Sequence, residues 1–339
     1  MRIVVDAMGS DAFPLPDVEG AVLAAKEYAV EIILVGDEAR VKPALERFNP
    51  NGLPIRVVHA PDMLTMEDKG MALVLKAKRK NAQNSMAIGL DLVKSGEAEA
   101  FVTAGNTGAC VTTAYFRLGT LDGVERPALA PLLPTRTGHC VMLDIGANPD
   151  CKPEFLLQFA IMGHIYAHKV RGLPQPRIGL VSKGEEAGKG NQLVRETYPL
   201  LAASGLNFIG NVEGKEIFRG EADVVVTDGF TGNVLLKSSE AVASMLTEII
   251  REKITRGPWL VKLGGALVRP ALRSLKQILD PSEEGAAPLL GVNGLVFIGH
   301  GRSDAAAIKN AVRVAKQAVE ANVLTAIRDE IANRLRATA

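Results

Sequence analysis

Cysteines, aromatic residues and net charge are all scarce in this chain. Only three cysteines occur in 339 residues. They are Cys110, Cys140 and Cys151, an odd number with no Cys-x-x-Cys spacing, which excludes a disulfide framework and a structural zinc site. The 39 Lys and Arg exceed the 38 Asp and Glu by one, which argues against a protein that grips nucleic acid by neutralising many phosphates. Aromatic residues make up 4% of the chain, too few for a base-stacking surface. No long apolar run occurs either. The longest uncharged tract, Gly285 to Gly299, is broken by Pro288, Gly291, Asn293 and Gly294, and falls short of the ~18 apolar residues of a spanning helix. The opening residues Met1 to Asp6 run directly into a strand-like segment, without the charged and apolar regions of a secretion signal. With so few cysteines, the expected compartment is the reducing cytosol. Apolar residues are plentiful at 47%, which rules out a disordered or fibrous chain and leaves room for one large α/β unit or two lobes.

Short β-branched runs alternate with longer segments of helical period, the pattern of parallel βαβ units. Strands are predicted at Arg2 to Asp6, Glu31 to Val35, Ile55 to Val58, Ala100 to Thr103, Cys140 to Asp144, Arg177 to Val181, Asp223 to Thr227 and Leu295 to Ile298. Helices are predicted between them, among them Thr107 to Leu118, Pro153 to Val170, Asn233 to Lys253 and Ser303 to Asn322. No repeat or low-complexity block interrupts the series, so residues 1–339 are read as one two-lobed domain.

The way the strands end is more telling. Leaving them are Asp6-Ala7-Met8-Gly9-Ser10-Asp11, Ala104-Gly105-Asn106-Thr107-Gly108, Asp144-Ile145-Gly146-Ala147-Asn148, Lys183-Gly184-Glu185-Glu186, Asp228-Gly229-Phe230-Thr231-Gly232-Asn233 and Gly299-His300-Gly301-Arg302-Ser303-Asp304. Taken singly, each is a tight turn with a helix cap, for which Gly, Asn, Asp and Ser are the usual residues. Taken together, they form a polar, glycine-rich rim at the carboxyl edge of a parallel sheet, where free helix N-termini suit a small anionic substrate.

Familiar motifs fail. Gly184 to Gly190 has three residues between its first two glycines instead of four, and Gly190 stands where a P-loop needs Ser or Thr. No Gly-x-Gly-x-x-Gly follows the first strand, and no Gly-x-Ser-x-Gly elbow occurs. His164 and His168 are four apart, but without a zincin glutamate they read as a helix surface. His300, in a glycine-rich loop before a helix capped by Ser303, suits either a phosphate-binding or proton-donating imidazole or a loop histidine packed beside its glycines.

In order along the chain, these loops resemble those of the bacterial phosphate acyltransferases of phospholipid synthesis. The matching stretches are Val5 to Gly9, Phe101 to Ala109, Leu143 to Glu154, Gly184 to Glu186, Lys189 to Asn191, Phe208 to Gly214, Asp228 to Asn233 and Pro288 to Gly294. The chain departs from the family pattern at Gly9-Ser10-Asp11, where the family reads Gly-Gly-Asp, at Ser182-Lys183-Gly184 and at Gly299. The resemblance implies a three-layer α/β/α fold with a mostly parallel sheet, like that of phosphate acetyltransferases and isocitrate-dehydrogenase-type enzymes. It implies a homodimer, cytoplasmic and peripherally membrane-associated, that moves a long-chain acyl group from acyl carrier protein to inorganic phosphate.

A thioester is already activated, so this reaction requires no covalent nucleophile, cofactor, metal or nucleotide. On this reading Gly9, Ser10, Asn106, Thr107 and Gly108 cradle phosphate and oxyanion with Lys183 and His300, and Asp6 or Asp228 accepts a proton. Asn148, Glu185, Asn233 and Ser303 complete the substrate-binding set.

One segment does not fit a compact core. No acid appears from Lys253 to Leu279, a stretch that carries Lys253, Arg256, Lys262, Arg269, Arg273 and Lys276. Gly257-Pro258 and Gly264-Gly265 are expected to divide it into short helices. Val268, Leu272, Leu275 and Leu279 form an apolar stripe flanked by Arg269, Arg273 and Lys276, with Trp259 and Leu260 nearby. Such a basic amphipathic hairpin suits an anionic bilayer, while a dimer interface or a contact with acyl carrier protein is the competing use. Besides acyl transfer from the carrier protein, three other activities are compatible with the loops. They are a coenzyme A-dependent phosphate acetyltransferase, an NAD-dependent dehydrogenase of similar fold, and a lipid or carrier-protein binding module.

Overall fold

The computed structural model describes the backbone of every residue except Met66, Lys80, Asp280 and Ala339, and all side chains outside positions 66, 80, 274–281 and 335–339. The chain runs β1 (Arg2–Asp6), α1 (Leu15–Tyr28), β2 (Glu31–Gly36), α2 (Glu38–Glu46), β3 (Ile55–His59), α3 (Gly70–Lys78), α4 (Ser85–Lys94), β4 (Ala100–Thr103) and α5 (Thr107–Leu118). It continues through β5 (Ala128–Leu129), β6 (Leu132–Thr135), β7 (Gly138–Leu143), α6 (Pro153–Arg171), β8 (Ile178–Val181), α7 (Gln192–Ala202), β9 (Phe208–Val212), α8 (Gly214–Arg219) and β10 (Val224–Val226). It closes with α9 (Gly229–Arg256), α10 (Trp259–Leu279), β11 (Ala286–Leu290), β12 (Leu295–Gly299), α11 (Ala305–Glu320) and α12 (Val323–Thr338).

Two sheets result. Seven strands are ordered β3-β2-β1-β4-β12-β11-β5 and five are ordered β6-β7-β10-β8-β9. β11 is antiparallel to both neighbours and β6 to β7; the other pairings are parallel. The central strands β1, β2, β4 and β10 are almost wholly apolar and buried because helices cover both faces of each sheet. In the first lobe Ile3, Val5, Ile32 and Leu34 point toward α1 and α11, while Val4, Ile33, Val35 and Phe101 point toward α4 and α5. In the second, Leu143, Leu180 and Val226 pack on α6, and Met142 and Val225 face Ile217 of α8 and Leu235 and Leu236 of α9. The expected three-layer α/β/α architecture therefore occurs twice, and the first apolar cluster is continuous from α1 and α11 to α6.

Sequence pattern located the long parallel strands but not β5, β6, β9 or β11. β5 has two residues, β11 contains Pro288 and β9 carries Gly210 at a φ of +98°, so none has a clean strand signature. The basic hairpin also corrects expectation. Gly264-Gly265 does not break the helix: α10 runs unbroken from Trp259 to Leu279, and α9 extends to Arg256. A Cβ on Gly265 would lie 2.3 Å from Ile254 Cγ2, so the glycine allows close approach of α10 to α9 instead of a turn. The actual break is at Gly257-Pro258.

Candidate active site

Four of the loop polar residues are helix caps in the structure. Asn106 accepts from Ala109 N at 3.0 Å at the start of α5. Asp228 accepts from Thr231 N and Thr231 Oγ1, both at 2.8 Å, at the start of α9. Asn191 caps α7. The cap of α11 is Asp304, accepting from Ala307 N at 2.9 Å, and not Ser303 as expected. Ser303 instead closes the loop from within, its buried hydroxyl accepting from His300 N at 3.2 Å. These caps fix where α5, α7, α9 and α11 leave the loops that precede them.

The three loops of the first lobe interlock. Gly9 lies so close to the loop after β4 that a Cβ there would meet Thr103 Oγ1 at 2.8 Å and Gly105 N at 2.9 Å. Asp11 N donates to Gly301 O at 2.7 Å, which ties in the loop after β12. Under them lies Asp6, 1% exposed, whose carboxylate accepts from Met8 N at 3.1 Å and Thr103 Oγ1 at 2.8 Å. Burial pushes its pKa up, against the lowering effect of the Ser85 and Thr103 hydroxyls. Ser10 is also buried and donates to Asp17 Oδ2 at 2.5 Å. Asp17 is fully buried, its Oδ1 has no hydrogen-bond partner, and burial pushes it up to about 7. Thr107 and Gly108 stay exposed at the first turn of α5, whereas the Asn106 amide donates back to Thr65 O and Asp68 O.

In the second lobe the loop after β7 wraps the start of α9. Asp144 is buried and accepts from Leu129 N, Ile145 N and Asn148 N. The Asn148 side chain donates to Pro127 O at 2.7 Å and Asp144 Oδ2 at 3.1 Å, so both of its amide hydrogens hold the loop. Gly229 N donates to Asn148 O, and a Cβ on Gly232 would lie 1.9 Å from Asp144 O. The loop after β8 is tied elsewhere: Glu185 pairs with Lys215 of α8 at 3.1 Å, and Asn211 Nδ2 donates to Glu186 O. Lys183 is exposed on that loop, and Asn233 is exposed on the first turns of α9.

The two lobes meet at a residue that the sequence did not flag. Lys237 of α9 places Nζ 3.3 Å from His300 Nε2, with Glu240 accepting from the same ammonium at 2.8 Å. Burial lowers the pKa of His300, and the Lys237 and Arg302 cations lower it further, leaving a neutral imidazole whose Nε2 faces an ammonium. Lys237 follows Asn233 by one helical turn on the same face, the one signal that could have found it. The expectation of one sheet edge is thus replaced by two, joined through His300 and Lys237.

None of the three thiols is poised as a nucleophile. Burial raises Cys110 and Cys140 and pushes Cys151 up to about 12, with Asp144 adding to the last shift. On the hairpin, Trp259 is 71% and Leu260 61% exposed. Arg269 and Arg273 are also exposed, and Leu272 is half-buried. The Leu275, Lys276 and Leu279 side chains lie outside the described residues.

Solved structures of similar fold include the EutD phosphotransacetylase from Staphylococcus aureus, at a TM-score of 0.58 and 16% identity. A phosphotransacetylase from Streptococcus pyogenes gives 0.59 and 20%. Each alignment covers 94% of this chain and 94% of the other. Sequence relatives are far nearer. A phosphate acyltransferase from Pelotomaculum thermopropionicum is 47% identical over 331 residues, covering 98% of this chain and 95% of that protein. One from Thermus thermophilus is 49% identical over 332 residues, covering 98% of each. The family model described as fatty acid synthesis protein matches residues 1–326. With identity near one half along almost the whole length, the chain belongs to the phosphate acyltransferase family of enzymes.

Proposed function

We propose that the protein transfers a long-chain acyl group from acyl carrier protein to inorganic phosphate, at the loops joined by His300 and Lys237. The observation that carries the reading is the His300 imidazole set 3.3 Å from the Lys237 ammonium where the two lobes meet, with the Arg302 charge on the same loop. A cation cluster next to free helix amides is an anion site, and a neutral histidine there can hold a proton in transit.

In the reaction a phosphate oxygen attacks the thioester carbonyl carbon and a tetrahedral oxyanion forms. The carbon–sulfur bond then breaks, and the proton lost by hydrogen phosphate ends on the departing thiolate. Lys237, Arg302 and the exposed amides of Thr107 and Gly108 hold phosphate and oxyanion. His300 carries the proton between phosphate and sulfur. Asp6 and Asp144, both buried and multiply hydrogen-bonded, fix the loops and do not exchange protons with substrate. Direct attack agrees with the raised thiol pKa values, which leave no thiolate to form an acyl-enzyme.

The protein works as a homodimer at the cytosolic face of the membrane. Val242, Met245, Leu246, Ile249 and Ile250 leave an exposed apolar ridge on α9, suited to a second copy. The hairpin tip, with Trp259, Leu260 and Leu263 exposed beside Lys262 and Arg269, suits an anionic lipid surface. Among the described residues no helix is long and apolar enough to cross a membrane. Incubation with long-chain acyl carrier protein and phosphate, followed by hydroxylamine trapping, should yield hydroxamate from acyl phosphate. Absence of that product would overturn the assignment.

A further inference from the structure

Two buried polar side chains lie beneath the loop between β1 and α1, and the reaction proposed above uses neither. They are Ser10 and Asp17, the latter in the first turn of α1. The Ser10 hydroxyl donates to Asp17 Oδ2 at 2.5 Å, and among the described residues it is the one side chain bonded to that carboxyl. Asp17 Oδ1 has no hydrogen-bond partner among them. The charge that acts on Asp17 is that of Asp6, of like sign. A carboxyl in such a place costs stability that an apolar side chain would not. Its worth to the fold therefore lies in what it holds. Ser10, with its hydroxyl committed to Asp17, does not offer that group to phosphate as the sequence suggested.

The loop secured by this bond touches both of its neighbours. On one side Gly9 meets the loop after β4 so closely that a Cβ would lie 2.9 Å from Gly105 N, two residues before Thr107. On the other, Asp11 N donates to Gly301 O at 2.7 Å, between His300 and Arg302. Ser10 stands between these contacts, and its carbonyl accepts from Phe13 N at 3.2 Å to close the turn. The anchor is firm, because α1 is seated tightly on the start of α11. A Cβ on Gly20 would lie 2.5 Å from Ile308 Cβ and 2.7 Å from Ala305 O, an approach that leaves no room for sliding. The Thr107 loop, the Gly9–Asp11 turn and the His300 loop are thus joined in series, and the Asp17 carboxyl holds the middle member. Position 10 is also where the chain departs from Gly-Gly-Asp, and a glycine has no side chain to make this bond.

We infer that Asp17, acting through Ser10, is a positioning residue that sets the Gly9–Asp11 turn as a wedge between the Thr107 and His300 loops and so fixes the spacing of the groups that hold phosphate. Asp17 itself touches no substrate. The inference rests on the phosphate reading above, where a displacement of about 1 Å is enough to weaken a bound geometry severely.

The test compares Ser10→Ala, Asp17→Asn and the double variant Ser10→Ala with Asp17→Leu, all in the full-length protein. Ser10→Ala leaves a buried carboxyl without its partner and lowers stability, whereas the double variant makes both partners apolar and recovers it. Asp17→Asn keeps an oxygen for the Ser10 hydroxyl. Calorimetric titration with inorganic phosphate should show binding about tenfold weaker in Ser10→Ala and in the double variant, and within about threefold of wild type in Asp17→Asn. The phosphate KM should follow the same order, with the thioester KM within about twofold of wild type throughout. Hydrogen exchange should quicken at the Asp11 amide and across residues 299–304 in the same two variants, and not along β2. If Ser10→Ala does not fold, the double variant carries the test. Wild-type phosphate binding in folded Ser10→Ala, or in a double variant that matches wild type in urea, would overturn the inference, because a bond with a structural role alone is made good by restored packing. If phosphate binding and loop exchange change as stated while hydroxylamine traps nothing, the inference stands and the proposed reaction fails.

Discussion

Lys237 Nζ and His300 Nε2 stand 3.3 Å apart, the one on α9 of the second lobe and the other on the loop after β12 of the first. An ammionium can only donate, so the ring nitrogen facing it must accept, and the imidazole is neutral in this arrangement. Folding brings together two residues 63 positions apart in the chain to make a site that neither lobe holds alone.

The pH profile of kcat/KM tests that relationship. Burial first, and then Lys237 and Arg302, hold the His300 pKa below its usual value near 6.5 against the opposing pull of Glu240 and Asp11, so the basic form persists below that pH. Lys237→Met removes one cation and raises the His300 pKa, which should move the acidic limb of the profile upward. The phosphate KM should rise about tenfold as well. His300→Ala should abolish the limb itself.

Asp17 has the opposite sign. In the fold its carboxyl keeps a proton up to about pH 7, because burial opposes the charge; unfolded, it loses that proton near pH 4. Its contribution to stability is therefore present below pH ~4 and is lost as the pH rises through ~7. Asp17→Asn removes this slope. Urea denaturation should show the variant losing less stability than wild type between those pH values, by up to about 4 kcal/mol.

Gly232 should tolerate no side chain. A Cβ there would sit 1.9 Å from the Asp144 carbonyl oxygen, so Gly232→Ala must push the start of α9 away from the β7 loop. A loss of about 1–3 kcal/mol in denaturant midpoint analysis is expected, with a larger proportional loss of kcat because α9 also carries Lys237.

The hairpin makes a separate prediction. Trp259→Ala combined with Leu263→Glu changes two exposed side chains on α10 and should leave thermal stability unchanged. Co-sedimentation with liposomes containing anionic lipid should fall several-fold, and equal sedimentation would remove the membrane assignment.

The strand runs, their apolar character and the polar loops that follow them were legible in the sequence because each depends on local periodicity and turn chemistry. Val4, Ile33 and Phe101 announce a sheet covered on both faces, and Asn106 and Asp228 announce helix starts, whatever the rest of the chain does. The acid-free run from Lys253 to Leu279 was equally plain, being a property of composition. What only the tertiary structure decided was which residues meet. That Asp6 and Asn148 spend their polar groups inside the loops, that Gly265 seats α10 against α9 instead of ending it, and that Lys237 reaches His300 all follow from how two sheets dock. Docking is set by packing across long sequence separations, which no local pattern records.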